Sequence, residues 1–190
     1  MYVVSACVVG GTGGGFGSGV VVPSLGIALN NFHHWADTDP ASPAAIKGGK
    51  LASETDISCM SPIMIWADQA GGTLEYALGT PGSFGIPQTT TQLIMNVLDF
   101  GMDIQEAIEA PRVSLPYETD GVDSPSAVTV NVEGRLDARV RAGLASRGHI
   151  VEVKEEWTMM FGGMQGIQVH KSGGLSGGAD PRRDGYALGY

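Results

Sequence analysis

The sequence predicts a single layered α+β domain over residues 1–190, and three observations carry that prediction. Short apolar runs rich in β-branched residues recur between residues 2 and 78. Two helical patterns follow between residues 86 and 110, and strand-like runs then return around one further helix. Strands, then helices, then strands again are typical of an α+β domain. A chain of 190 residues with 43% hydrophobic residues can also bury a sizeable core.

The first part of the chain alternates between strand-like runs and loops. Glycines crowd residues 10–15, and residues 32–57 are irregular, so both stretches are predicted to be loops. Residues 68–72 form a short polar connection between two apolar runs, which predicts a β-hairpin. The predicted strands of this part are residues 2–9, 20–22, 61–66 and 73–78.

Helix signals are clearest in the middle of the chain. A helix is predicted over residues 86–100 because Pro87 suits its first turn and apolar residues recur on one face. A second helix is predicted to begin at Asp103, which can form a capping box with Glu106, and to end before Pro111. The remaining predictions are a helix over 137–147, strands over 128–132, 150–153 and 166–169, and a short strand in the glycine-rich tail.

Composition narrows the classes of function. A net charge of −9 disfavours nucleic acid as a partner, because phosphates require a basic surface. No apolar run approaches the roughly 20 residues needed to span a bilayer. Cys7 and Cys59 give neither a disulfide framework nor a zinc spacing. His33 and His34 are adjacent and should point to opposite sides of an extended segment, which favours a solvated or pocket-lining pair over a metal site. We therefore expect neither a metal nor a cofactor.

Four collinear blocks carry the functional signal. They read FGSGVVVPSLGIALNN at 16–31, SCMSP at 58–62, GTPGS at 79–83 (followed by NVLDFGM at 96–102 and APR at 110–112), and GADPRRDG at 178–185. In content, spacing and order, these blocks resemble the small subunit of the γ-glutamyltranspeptidases. Those enzymes are N-terminal-nucleophile hydrolases, which cut their own chain to free a catalytic threonine. The resemblance covers the chain from about residue 4 to residue 190.

The resemblance implies a four-layer αββα sandwich, truncated in this chain at its N-terminus. In the family, the hydroxyl of the freed threonine attacks an amide carbonyl while its own α-amine acts as the base. That threonine would precede Met1, and Thr12 lies inside a predicted loop, where a nucleophile is not expected. The chain should therefore be the C-terminal, small-subunit-like part of a precursor. Its implied partner is the large-subunit portion, and the chain alone should be inactive.

An oxyanion hole is expected in the third block. Gly82 and Ser83 occupy the place where the family has a Gly-Gly pair, and their backbone N–H groups would stabilise the developing negative charge. Serine keeps the N–H donor but tolerates positive φ less well than glycine. The alternative interpretation is a plain turn between a strand and a helix.

Substrate-binding residues depart further from the family pattern. Ser58 matches the first serine of the pair that binds the substrate's α-carboxylate, and Cys59 replaces the second. Phe32 and Trp35 stand where the family carries a Gln or Glu and an Asp that takes the α-ammonium. Aromatic side chains at these positions favour a more apolar acyl group.

The resemblance thus implies a γ-glutamyltransferase-like amide hydrolase or acyltransferase acting on a γ-glutamyl or related acyl-amide. The alternatives are another N-terminal-nucleophile acylase with a more apolar pocket, and a non-catalytic remnant that only packs with the rest of its precursor. Loss of an upstream strand would expose a sheet edge through which the chain could self-associate. The DPRR segment at 180–183 is expected to form a structural ion-paired corner.

Overall fold

The computed structural model describes residues 17–32, 36–41, 45, 60–67, 72–116 and 129–189. Mixed helix and sheet in these residues confirm the α+β class. The described residues divide into two compact units, one before Ser61 and one from Ser61 onward. The predictions for residues 2–9 and 10–15 lie outside the described residues.

The unit before Ser61 contains a small antiparallel hairpin. Its strands are β1 (Val21–Val22) and β2 (Ile27–Ala28). The turn between them needs a left-handed residue, which Gly26 provides with φ 65°. The strand predicted over residues 20–22 is therefore confirmed, with a shorter extent.

The unit from Ser61 onward holds the other elements. In chain order, they are β3 (Ile63–Trp66), β4 (Leu74–Gly79), α1 (Ile86–Leu98), α2 (Ile104–Glu109), β5 (Val113–Ser114), β6 (Thr129–Glu133), α3 (Ala138–Ser146), β7 (Ile150–Lys154), β8 (Gln165–Val169) and β9 (Leu175–Ala179). Two short 3₁₀ helices, Ser83–Gly85 and Met159–Phe161, lie between these elements.

Two sheets organise this unit. The first has the strand order β3-β4-β8-β9 and is antiparallel throughout, and it includes the predicted hairpin β3–β4. The second has the order β5-β6-β7, in which β6 and β7 are parallel and are connected through α3. A parallel pair needs such a crossover because a tight turn can join only antiparallel strands.

Helices α1 and α2 begin where local signals place them. Pro87 lies in the first turn of α1, where its missing N–H costs nothing. At the start of α2, the Asp103 side chain accepts the Glu106 amide at 2.8 Å, and the Glu106 carboxylate accepts the Asp103 amide at 3.3 Å. The predicted capping box is thus confirmed.

The core lies between the first sheet and helices α1 and α2. Two glycines of the first sheet leave room for the isoleucine side chains of α2. A Cβ on Gly178 would lie 2.6 Å from Ile108 Cδ1, and one on Gly166 would lie 2.8 Å from Ile104 Cδ1. The main core side chains are Tyr76, Leu78, Leu93, Val97, Ile104, Ala107, Ile108 and Met164.

Two negative findings apply to the described part of the chain. A membrane span requires a long, predominantly apolar helix, and no helix of this part meets both requirements. Within the same residues, no group of three or more His, Cys, Asp or Glu side chains could hold a metal ion.

Candidate oxyanion turn and its buried support

The predicted oxyanion residues lie in a turn of residues 80–83, between the end of β4 and the 3₁₀ turn that precedes α1. Gly82 has φ 138° and ψ 22°. Ser83 follows with φ 52°, and it is the one non-glycine residue with positive φ in the described part of the chain. A non-glycine residue in the left-handed region costs free energy, and such strain clusters at functional sites. We call residues 80–83 the β4–α1 turn.

The side chain of Ser83 adds a second unusual feature. Its hydroxyl oxygen is buried and has no hydrogen-bond partner among the described residues. Buried polar groups are nearly always hydrogen-bonded, so each exception calls for an explanation.

A second segment, residues 161–163, packs against the β4–α1 turn and supports it. A Cβ on Gly82 would lie 3.3 Å from the Gly162 Cα. Gly162 itself has φ 90°, and a Cβ there would lie 2.7 Å from the Thr80 hydroxyl oxygen. A Cβ at Gly162 would overlap the Thr80 hydroxyl and one at Gly82 would be tightly packed, so glycine at both positions favours this close approach. We call residues 161–163 the support loop.

Two threonine hydroxyls join the support loop to its neighbours. The Thr80 hydroxyl accepts a hydrogen bond from the Gly163 amide at 3.0 Å and donates one to the Pro81 carbonyl at 2.8 Å. From α1, the Thr89 hydroxyl donates to the Phe161 carbonyl at 3.0 Å. The turn is thus fixed to a buried backbone through hydrogen bonds that a mobile surface loop would lack.

We expect Thr80→Val to lower the free energy of unfolding by about 1–3 kcal/mol, because valine has a similar shape but leaves the buried Gly163 N–H without its acceptor. Urea unfolding of the chain measures this change. The matched control is Thr80→Ser, which keeps the hydroxyl and should stay closer to the wild type. A Thr80→Val variant as stable as the wild type would contradict the supporting role of this hydrogen bond.

Behind the support loop lies a buried ion cage made of Arg112, Glu133, Asp180 and Arg182. Arg182 pairs with Glu133 through Nε and Nη2, both at 2.6 Å, and its Nη1 donates to Asp180 at 3.0 Å. Arg112 pairs with the other Asp180 oxygen at 2.7 Å. All four residues are at most 4% exposed. The predicted ion-paired corner is thus confirmed for Asp180 and Arg182.

Every donor of the Arg182 guanidinium is used. Its two remaining N–H groups donate to the carbonyls of Ile108 and Ala110, each at 3.0 Å. Arg112 likewise donates to the Ile108 carbonyl at 2.7 Å and to the Phe161 carbonyl at 2.8 Å. The bond from Arg112 to Phe161 connects the ion cage to the support loop.

Electrostatics explain how these charges are tolerated. Two guanidinium groups and two carboxylates balance within the cage, and buried charges need such pairing. Burial lowers the pKa of Arg112, and the nearby charge of Arg182 lowers it further. Burial acts in the same direction on Arg182, but its hydrogen bonds to Glu133 and the charge of Asp180 outweigh this, so its pKa is raised. Arginine side chains stay protonated in proteins, so both guanidinium groups carry a positive charge.

A fifth charge extends the cage toward solvent. Arg135 donates to Glu133 at 3.0 Å, and its guanidinium carbon lies 3.4 Å from the ring centroid of Trp157. This cation–π contact covers the outer side of the cage.

The structure describes three of the six site residues predicted from the sequence. Gly82 and Ser83 lie together in the β4–α1 turn, whereas Phe32 belongs to the unit before Ser61. Trp35, Ser58 and Cys59 lie outside the described residues, as does Thr12.

Thr80, Gly162 and Gly163 were not singled out from the sequence as supporting residues. Thr80 stands inside the third block, so its position next to the oxyanion residues was the available signal. No local pattern pairs it with Gly163, which is 83 residues away.

Comparison with known proteins identifies the family. Residues 5–190 match the sequence profile described as Gamma-glutamyltranspeptidase. The Glutathione hydrolase-like YwrD proenzyme of Bacillus subtilis (strain 168) is 34% identical over 178 residues, which are 92% of this chain and 31% of that protein. The Acylase ACY 1 proenzyme of Pseudomonas sp. (strain SE83) is 33% identical, over 90% of this chain and 27% of that protein.

A solved structure agrees with the sequence comparisons. A highly active mutant of the Gamma-glutamyltranspeptidase from Pseudomonas nitroreducens superposes with a TM-score of 0.72 at 26% identity, covering 96% of this chain and 91% of that chain. The present chain spans less than a third of the length of the two curated relatives. On this combined sequence and structural similarity, the chain belongs to the γ-glutamyltranspeptidase family.

Proposed function

We propose that this chain forms the oxyanion-stabilising part of an amide-bond hydrolase or acyltransferase of the N-terminal-nucleophile type, within a four-layer αββα sandwich. One observation carries the proposal. The β4–α1 turn holds two successive residues with positive φ, one of them a serine, against a buried support. Preorganised backbone donors of this kind can lower the barrier to amide attack by about 3–4 kcal/mol.

The proposed reaction uses a threonine from a precursor segment that precedes Met1. Its hydroxyl oxygen bonds to the substrate carbonyl carbon, its proton passes to the threonine α-amine, and the carbonyl π electrons move to oxygen. The N–H groups of Gly82 and Ser83 would stabilise the resulting oxyanion. Collapse of this intermediate breaks the C–N bond, and the departing amine takes the proton, which leaves an acyl ester on threonine. Water or an acceptor amine then attacks the ester and frees the hydroxyl.

The proposed partner is the large-subunit portion of the same precursor. Both curated relatives are named proenzymes, and this chain covers 31% and 27% of their lengths. In the family, the large subunit contributes an arginine that binds the substrate carboxylate. We accordingly place the complete substrate pocket in the assembled protein.

Two classes of substrate fit the residues at the predicted binding positions. A γ-glutamyl amide is the first, with Ser58 and Cys59 at its α-carboxylate. An acyl group of more apolar character is the second, since Phe32 and Trp35 replace polar family residues. The relative named an acylase supports this second class.

The test is an assay of the complete precursor on a γ-glutamyl anilide and on an apolar acyl anilide. We expect the self-cleaved precursor to release aniline from at least one substrate, and the 190-residue chain alone to release none. Replacement of the upstream threonine by alanine should abolish both turnover and self-cleavage. Turnover of the apolar anilide alone would reject the γ-glutamyl assignment.

Two outcomes would reject the proposed function itself. A folded precursor without activity on either anilide would favour a non-catalytic remnant. Hydrolysis by the isolated chain that disappears in Thr12→Ala would show that Thr12 is the nucleophile instead.

A further inference from the structure

We propose that the Ser83 hydroxyl is a further catalytic donor, which hydrogen-bonds the same oxyanion as the backbone N–H groups of the β4–α1 turn. This inference rests on the proposed function and adds to it. It assigns a role to a side chain, whereas the family pattern at this position supplies backbone donors alone.

Ser83 adopts a backbone conformation that serine rarely takes. Its φ is 52°, in a region where glycine is the favoured residue and where serine is strained. The turn also follows Gly82, so the local backbone already uses glycine where it must bend sharply. A serine at this position therefore retains a side chain at a conformational cost.

The Ser83 hydroxyl is unusual in its own surroundings. Its oxygen is buried, and among the described residues it has no hydrogen-bond partner. It does not cap the 3₁₀ turn Ser83–Gly85, where no side-chain capping bond is present. Nearby threonines behave differently, because Thr80 and Thr89 both donate to backbone carbonyls.

Unpartnered buried atoms alone would not distinguish Ser83. In the described part of the chain, Thr90, Asn131 and His149 also each bury a polar side-chain atom without a partner. Of these four residues, Ser83 alone combines such an atom with a positive φ and a place in the candidate oxyanion turn. The coincidence of these three features points to a ligand oxygen.

The chemistry suits a hydroxyl donor. A serine hydroxyl and the N–H of the same residue are close enough for one acceptor oxygen to receive both hydrogen bonds. The hydrogen bond from the hydroxyl is weak while the acceptor is a neutral carbonyl, and it becomes charge-assisted as the oxygen gains negative charge. Such an interaction stabilises the transition state more than the bound substrate, so it raises kcat more than it lowers KM.

The experiment compares Ser83→Ala and Ser83→Gly in the complete precursor, using whichever anilide the wild type hydrolyses. We expect kcat to fall about 10²-fold in both variants, as for the loss of an oxyanion-hole donor, with little change in KM. The boronic acid analogue of the accepted acyl group, which forms a tetrahedral adduct, should lose affinity by a similar factor. The melting temperature of Ser83→Gly should stay equal or rise, because the strain and the unpartnered hydroxyl are both removed.

The control is Thr90→Val, which removes a hydroxyl that is likewise buried and without a partner among the described residues, and it should leave kcat unchanged. A Ser83→Ala variant with wild-type kcat would overturn the inference. Recovery of kcat in Ser83→Gly but not in Ser83→Ala would also overturn it, since the backbone would then explain the loss. If the wild-type precursor hydrolyses neither anilide, the proposed function has failed and this inference falls with it.

Discussion

Replacing Arg182 by methionine should lower the free energy of unfolding by about 3–5 kcal/mol, the largest electrostatic effect expected in this chain. The substitution removes the five hydrogen bonds of a guanidinium whose residue is 4% exposed. It also leaves Glu133 and Asp180 buried with less compensating charge. Urea unfolding of the chain, followed by circular dichroism, measures the loss.

Arg139→Met is the matched control for this prediction. Arg139 also pairs with an aspartate, Asp137, but its side chain is 92% exposed, so its removal should leave the unfolding midpoint unchanged. Equal midpoints for Arg182→Met and the wild type would mean that the ion cage does not stabilise the fold. A double variant with Glu133→Gln should lose less than the two single variants added together, because each removes the partner of the other.

Replacing Phe161 by alanine should cost a similar amount, about 3–5 kcal/mol, by opening a cavity in the core. Phe161 is 1% exposed and starts the support loop. Its carbonyl accepts hydrogen bonds from Thr89 and Arg112, so collapse of the cavity would also displace this backbone. Unfolding in urea gives the stability, and the anilide assay of the complete precursor should show reduced kcat.

Met160→Ala provides the control, because Met160 precedes Phe161 in the same 3₁₀ turn and is 44% exposed. We expect its unfolding midpoint to remain within experimental error of the wild type. If both alanine variants lost equal stability, the effect would belong to the 3₁₀ turn and not to the buried ring. If Phe161→Ala lost stability without any loss of kcat, the support loop would not govern the β4–α1 turn.

Local signals predicted much of the secondary structure. Pro87 marks the start of α1, and the pair Asp103 and Glu106 forms a capping box at α2. Each signal acts within one helical turn, so it can be read without knowledge of the fold. Helix α1 ends at Leu98, two residues before the predicted Phe100, and a shift of this size is ordinary at helix ends.

Such local signals could not predict the contacts between residues far apart in the chain. The DPRR segment predicted an ion-paired corner, but nothing in the local sequence assigns Glu133, 49 residues from Arg182, as its partner. The support of Gly82 by Gly162 likewise depends on packing between segments far apart in the chain. Gly82 and Ser83 were identified through the family resemblance, and their roles, with those of Ser58, Cys59, Phe32 and Trp35, remain predictions.

The ion cage also constrains how this sequence can vary. Lysine cannot replace Arg182, because a single ammonium cannot reach two carboxylates and two carbonyls arranged around a planar fork. A substitution at Glu133 or Asp180 would likewise leave a buried guanidinium group without its carboxylate partner. Substitutions at these positions should therefore be accepted only in concert, so that residues distant in the chain coevolve as one unit.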